Sequence, residues 1–338
     1  MPVPNITRRS LLAAGAALPM AAIITRRGYA AEFEYKMATG QDPTHPVNVR
    51  AQQAIDRIRE ATAGNVTFQL FPANQLGSDT DLLAQVRSGG VDMFNLSTSI
   101  LATLVPVTGI VNTGFAFASY DKVWEAMDGK LGTYIREQIT KAGLLAPGRI
   151  WDNGFRQITS STRTIRTPAD LAGFKIRVPP APMLTSVFKM LGAGATPINF
   201  NELYSALQTQ VVEGQENPLA IFSSTKLYEV QKTVSMTGHV WDGYVMLANR
   251  RSWQALPKDA QAIVVRELDH AGEDERADVA VLSQSLRNDL IAKHMTFIDV
   301  DRSQFRAALA KTSFYGDWKA KYGEVAWGLM ESTTGQLA

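Results

Sequence analysis

Lys175-Ile176-Arg177-Val178-Pro179, followed by Asn201-Glu202-Leu203-Tyr204 and then by Gly214-Gln215-Glu216-Asn217-Pro218, is the stretch on which the reading of this 338-residue chain turns. Ile176 and Val178 alternate with Lys175 and Arg177, the period-two pattern of a strand whose apolar pair enters a core while Arg177 emerges on the other face. Pro179 and Pro180 end that strand. A guanidinium held at a strand end offers a planar fork of donors that matches a carboxylate bidentately, which the point charge of a lysine cannot do. Taken without its neighbours, the same arginine reads more readily as half of a solvated salt bridge.

Working outward, Glu34 to Thr39 alternates like a strand, and Pro46 to Ala63 carries Val49, Ala54, Ile55, Ile58 and Ala61 at helical spacing before Gly64. Val66 to Phe71 reads as the next strand, Ser78 as the cap of a helix through Arg87 ended by Gly89, and Val91 to Leu96 as a further strand. Strand and helix alternating at these lengths predict an α/β fold with a parallel sheet and helices outside, binding ligand beyond the carboxyl ends of its strands. Asn95 to Ser99 follows one such end. The same logic repeats in a second unit. Leu144 to Trp151 and Phe155 to Ser160 read as extended, and Thr167-Pro168-Ala169-Asp170 joins an N-cap to a proline at the first helical position. Asn199 with Glu202 reads as the cap of a helix through Tyr204, Ala206 and Leu207, and Val211-Val212 lead to a turn displaying Asn217. A long helical pattern runs from Pro257 to about Lys293, a late strand covers Met295 to Val300, and helices follow Arg302.

Residues 1–30 read as an export signal: Thr7-Arg8-Arg9-Ser10-Leu11-Leu12 is a twin-arginine signature, and the apolar run Leu11 to Ile24 is short for a membrane span. Cleavage after Ala30 leaves Gly28 and Ala30 at the constrained positions, with Ala31 as the rival site. The whole chain carries +2, and these thirty residues hold four arginines and no acid, so the mature part carries −2. With no basic cluster interleaved with aromatics, nucleic-acid binding is not expected. Between Met93 and Tyr120 no charge occurs, yet Asn, Pro, Gly, Ser and Thr interrupt the run, so it reads as a buried strand, loop and short helix lining a cleft rather than as a span. No membrane insertion of the mature chain is expected.

Cysteine is absent, which removes disulfides, thiolate metal sites and cysteine nucleophiles. His45, His239, His270 and His294 do not form a metal set, although His45 and His239 keep a place as pocket candidates. Gly192-Ala193-Gly194 lacks the third glycine of a dinucleotide loop, and neither a phosphate-loop lysine nor a Gly-x-Ser-x-Gly elbow occurs. No cofactor and no catalytic set are expected.

The combination of Thr167-Pro-Ala-Asp170-Leu-Ala-Gly173-Phe-Lys-Ile-Arg177-Val-Pro179, Leu191-Gly-Ala193, Glu202-Leu-Tyr204-Ser-Ala-Leu-Gln208 and Gly214-Gln-Glu-Asn217-Pro218 resembles the DctP-type solute-binding subunits of TRAP transporters. The resemblance extends to Trp151-Asp-Asn-Gly154-Phe-Arg156, Gly89-Gly90-Val-Asp92, Phe71-Pro-Ala-Asn-Gln-Leu76-Gly77 and His45-Pro46, and so covers nearly all of the mature chain. It departs from the family pattern at Gln210 and Gly114, where glycine and proline respectively are common.

The resemblance implies a two-lobed periplasmic-binding-protein fold with a mixed or parallel sheet in each lobe, hinge strands, and a long helix spanning both lobes. It places lobe one at 31–153 plus 243–282 and lobe two at 154–242 plus 283–338, with a hinge near Asp152 and Asp242. It also implies that Arg177 pairs with a solute carboxylate while Arg156 and Asn217 complete a polar clamp. Asn95, Trp151, Asp152, Phe174, Trp241, Asp242, Tyr244 and His45 are the remaining ligand-binding candidates; for the aromatic ones a core role is an equal alternative, and Asp152 and Asp242 serve either to accept from solute hydroxyls or only to orient Arg156. The expected function is periplasmic capture of a small organic acid, most simply a hydroxylated monocarboxylate such as an aldonate or pantoate, with an aromatic acid as runner-up. Delivery would be to the small and large membrane subunits of the transporter. The rival class is a periplasmic enzyme with Asp152 or Asp242 as base and Arg177 as binder, for which no matched acid and base are apparent.

Overall fold

A computed structural model describes residues 31–337; the expected export signal lies outside the described residues. In chain order the strands are β1 (Phe33–Thr39), β2 (Val66–Phe71), β3 (Met93–Ser97), β4 (Leu144–Leu145), β5 (Trp151–Phe155), β6 (Gln157–Ser160), β7 (Lys175–Val178), β8 (Gly194–Pro197), β9 (Gly214–Asn217), β10 (Thr233–Met236), β11 (Trp241–Asn249) and β12 (Thr296–Asp299). They form two mixed sheets, one per lobe. The first has the order β2-β1-β3-β11-β4, with β5 also on β11; the second has the order β12-β10-β6-β9-β7-β8.

In the first lobe β1 pairs parallel with β2 and β3, as strand and helix alternation requires, and β11 closes onto β3 antiparallel. The intervening helices begin and end where the sequence signals stand. Helix Pro46–Ala61 starts with a proline after His45, whose Nδ1 accepts from the Val47 amide. Helix Asp79–Ser88 opens with a full capping box between Ser78 and Asp81 and closes at Gly89 in the left-handed region. In the second lobe β7 lies between β8 and β9, parallel to both, while β6 pairs antiparallel with β9 and β10.

Helix Lys258–Ala292 ties the lobes together. Val264, Leu268 and Ala271 pack with helix Pro46–Ala61 and the first sheet, whereas Leu286 and Leu290 join Leu203, Phe222 and Val234 of the second lobe. The chain changes sheets at Arg156, the single residue between β5 and β6, and again between Met236 and Trp241. Gly154, Phe155, Trp241 and Asp242, which the resemblance allots to the second lobe, therefore pair within the first sheet.

Three local expectations need correcting. Pro168–Leu171 is a single 3-10 turn rather than a helix, although the Thr167–Asp170 capping box is present. Asn199 makes no cap bond to the helix after it; its side chain instead meets Thr80 of the other lobe, Nδ2 donating to Oγ1 at 3.2 Å. Asn217 is the last residue of a paired strand, opposite Gln157, and not part of a turn. Gln210, by contrast, does adopt a positive φ of 57°, a conformation that costs a non-glycine residue about 1 kcal/mol or more.

Two carboxyl groups are buried between β5 and the long helix. Asp152 accepts from the Trp241 indole at 2.8 Å, and its own amide donates to Glu275 at 2.9 Å. Burial pushes Asp152 up to about 7, against hydrogen bonds from Trp241 and Tyr120 and the charge of Arg276, and pushes Glu275 well above its usual range, where the Asp152 carboxylate acts in the same direction. A carboxyl group whose pKa is raised by folding adds stability below its unfolded value, near 4, and loses that contribution as pH rises toward the folded value. The thermal midpoint should therefore fall between pH 5 and pH 8, and Asp152→Asn, which keeps an acceptor for Trp241, should flatten that fall. A variant whose midpoint declines as steeply as that of the parent protein contradicts this role for Asp152.

Candidate ligand-binding site

The carboxyl ends of β1, β7 and β9, together with β3, β5 and β11, converge on a half-open cavity of about 30 Å³ between the two sheets. Gly40, Gln41, Asn95, Ser97, Asn153 and Tyr244 line it from the first lobe with Asp79 from a helix start, and Arg156, Arg177, Pro179, Phe200, Asn217 and Ile221 line it from the other side. Next to the lining residues Asp79 and Phe200, the Thr80–Asn199 hydrogen bond joins one lobe to the other.

Arg177 is 1% exposed. Ile176 and Val178 on either side of it enter the core, so the strand period alone turns its guanidinium toward the cavity. Its Nε donates to the Ile198 carbonyl at 2.9 Å, while Nη2 has no partner. Among the described residues no carboxylate lies within 4.0 Å of it. Burial lowers its pKa to about 10, the charge of Arg156 acts in the same direction, and Glu216, Asp79 and Glu202 act against. It remains a cation at neutral pH.

Arg156 is in the opposite situation. Its Nη2 donates to the Glu216 carboxylate at 2.8 Å, to the Glu216 carbonyl at 2.7 Å and to Asn217 Oδ1 at 2.8 Å, and its Nη1 reaches Asp242 at 3.3 Å. Glu216 also meets His239 Nε2 at 3.0 Å. Burial alone would raise Glu216 and lower Arg156, but their mutual attraction outweighs it in both, keeping the pair ionised. Asp242 collects donors from Ser97 at 2.6 Å, Thr98 at 2.7 Å, Asn112 at 3.0 Å and Asn153 at 3.0 Å. The polar residues of the uncharged run after Met93 thus serve to hold one carboxylate. A β-bulge between Asp242 and Gly243 aims it there, at a glycine whose Cβ would lie 2.5 Å from the Trp241 ring.

Besides Arg177 Nη2, five buried polar atoms of the lining have no partner: Gln41 Oε1, Asn95 Oδ1 and Nδ2, Asn153 Oδ1 and the Tyr244 hydroxyl. Each unsatisfied group of this kind costs about 1–3 kcal/mol, so their convergence marks a site arranged for a polar solute. Asp79 adds a buried carboxylate that accepts from Asn74 Nδ2 at 2.8 Å. Burial raises its pKa, against Asn74 and Arg177. Among the described residues no cluster of acids and histidines has the makings of a metal site.

Of the candidates read from sequence, Arg177, Arg156, Asn217, Asn95 and Tyr244 line the cavity. Trp151, Phe174 and Trp241 do not, being apolar core; Trp241 sits edge-on to Trp124 and Phe117. The Asp152 carboxylate accepts from the Trp241 indole, Asp242 stands behind Arg156, and His45 is a helix cap kept neutral by burial, which lowers it to about 4. Sequence reasoning missed Gln41, Asp79, Asn153, Phe200 and the Arg156 partner Glu216. Gln41 follows the carboxyl end of β1 and Glu216 lies inside the quoted Gly214–Pro218 stretch, so a signal existed for both. Asp79 was hidden by its place in a helix first turn.

Residues 37–314 match the family described as bacterial extracellular solute-binding protein, family 7, named DctP. The 2,3-diketo-L-gulonate-binding periplasmic protein YiaO of Escherichia coli is 31% identical over 86% of this chain and 88% of its own length. An uncharacterized protein y4mM of Sinorhizobium fredii is 37% identical over 90% of this chain, which spans 57% of that longer protein. A crystal structure of a TRAP periplasmic solute-binding protein from Polaromonas bound to D-erythronate superposes with a TM-score of 0.85, at 29% identity and covering 90% of this chain and 99% of that one. Such proteins bind solutes for transport and catalyse nothing, and no helix among the described residues is long and apolar enough to cross a membrane. Fold, matched span and site together place the chain in the DctP family of TRAP periplasmic solute-binding proteins.

Proposed function

We propose that this receptor captures a small hydroxylated monocarboxylate, an aldonate or a pantoate-like acid, by pairing its carboxylate with Arg177, and hands it to the small and large membrane subunits of a TRAP transporter. One observation carries the reading: of the two buried guanidiniums in the cavity, Arg156 is already matched by Glu216 and Asp242, while Arg177 has a free Nη2 and no carboxylate of its own. One unmatched cation calls for one anionic group. Asp79 would repel a second carboxylate, and with Gln41, Asn95 and Asn153 it offers acceptors for solute hydroxyls. The diketogulonate named for the Escherichia coli relative and the erythronate in the Polaromonas structure have this chemistry. Hydrogen bonds to charged groups contribute roughly 1.5–3 kcal/mol each, so three or four of them supply most of the about 8 kcal/mol of a micromolar complex.

Capture of this kind works by hinge closure between the lobes expected above, 31–153 plus 243–282 against 154–242 plus 283–338, except that Gly154, Phe155, Trp241 and Asp242 move with the first sheet, with Asn217 and Arg156 as the clamp beside Arg177. The two sheet crossings and the long helix are the connections that flex or hold. Export through a twin-arginine signal to the periplasm completes the reading.

Because lysine lacks the fork, Arg177→Lys should weaken binding of the acid at least tenfold by calorimetry, which is about 1.4 kcal/mol; unchanged affinity contradicts the ion pair. Small-angle scattering should give a smaller radius of gyration with the acid than without it, and equal radii contradict closure.

A further inference from the structure

The cavity that holds Arg177 adjoins further space between the lobes. Beyond it lies a second, outer chamber of about 190 Å³, bounded by Asp42, Asn74, Asn201 and Tyr204 among others. Only two residues, Gly40 and Phe200, appear in the lining of both chambers. Gly40 presents no side chain, and a Cβ there would lie 2.6 Å from Asp79 Oδ1, so the first lobe contributes bare backbone at this boundary. The partition is therefore the ring of Phe200. It opens the 3-10 turn Phe200–Glu202 and stands 5.9 Å from the Arg177 guanidinium carbon, within reach of a cation–π contact.

The two chambers differ in chemistry as well as in size. The inner one holds the unmatched cation, whereas the outer one sets the acceptors Asp42, Asn74 and Asn201 among the apolar Ala73, Leu203 and Leu227, with no arginine or lysine in its lining. An acid anchored at Arg177 with a polyhydroxylated tail would meet cation first and acceptors afterwards.

We propose that Phe200 is the residue that sets the length of the solute: its ring stops a short hydroxy acid at the end of the inner cavity, and the outer chamber is a subsite for the hydroxylated tail of a longer sugar acid once that ring is removed. This rests on the monocarboxylate reading of Arg177. Polar tail groups reaching the outer acceptors gain hydrogen bonds, while a short acid gains nothing there and loses the wall that excludes water from its ion pair.

The test is calorimetric titration of the wild-type protein, Phe200→Ala and the double variant Phe200→Ala/Asn201→Trp with a four-carbon aldonate, a six-carbon aldonate and a disaccharide aldonate. The wild type should bind the shorter acids and reject the disaccharide acid. Phe200→Ala should bind the disaccharide acid at least tenfold more tightly than the wild type does and the four-carbon acid less tightly, and the indole at the exposed position 201, which refills the outer chamber, should cancel the gain. If the wild type binds none of the acids, the monocarboxylate reading fails. If it binds the short acids but Phe200→Ala keeps the same length preference, or position 201 has no effect on the gain, the partition is refuted. Should Phe200→Ala fail to fold, Phe200→Leu carries the same comparison, and an unchanged length preference in that variant refutes the partition equally.

Discussion

A guanidinium buried at the end of a strand without a carboxylate of its own is an unfavourable arrangement, and the rest of this receptor is built to sustain it at Arg177. Desolvation works against the charge, and the neighbouring Arg156 adds repulsion. What keeps the arrangement tolerable is the division of labour between the two cations. Glu216, Asp242 and Asn217 are consumed by Arg156, so none of them reaches across to neutralise Arg177. Asp242 is itself surrounded by hydroxyl and amide donors from the segment after β3, which fixes it to the first lobe.

This web also lies where the chain passes between lobes. Arg156 is the residue at which one sheet gives way to the next, and its partners come from β9 on one side and β11 on the other. His239, bonded to Glu216, belongs to the second crossing. The ion pair links both crossings and so ties the two sheets together beside the cavity that Arg156 and Asn217 line. A second cross-lobe contact, that of Asn199 with Thr80, lies next to the lining residues Phe200 and Asp79.

Much of this was legible in the sequence because it is written in short-range patterns. The alternation at Lys175–Val178 predicted which way Arg177 faces, and Ser78, Gly89 and Pro257 bounded their helices as caps and breakers should. The tryptophans and acids near the hinge were harder. Trp151, Trp241 and Asp152 lie in strands close in sequence to Arg156, but strand alternation and the bulge at Gly243 send them to the core and the long helix, which composition near a hinge does not reveal. Asp79, Gln41 and Phe200 belong to three separate elements, and only tertiary packing brings them to one cavity. Asn199 shows the same limit: a capping signature is local, and a partner from the other lobe displaced it.

A crystal structure of the protein with its solute bound would display the partner of Arg177 outright. Carboxylate oxygens should lie at hydrogen-bond distance from Arg177 Nη2, with hydroxyls directed toward Asp79 and Asn95. A bound solute without an acid group, or one whose carboxylate is held elsewhere while Arg177 contacts nothing of it, would contradict the account.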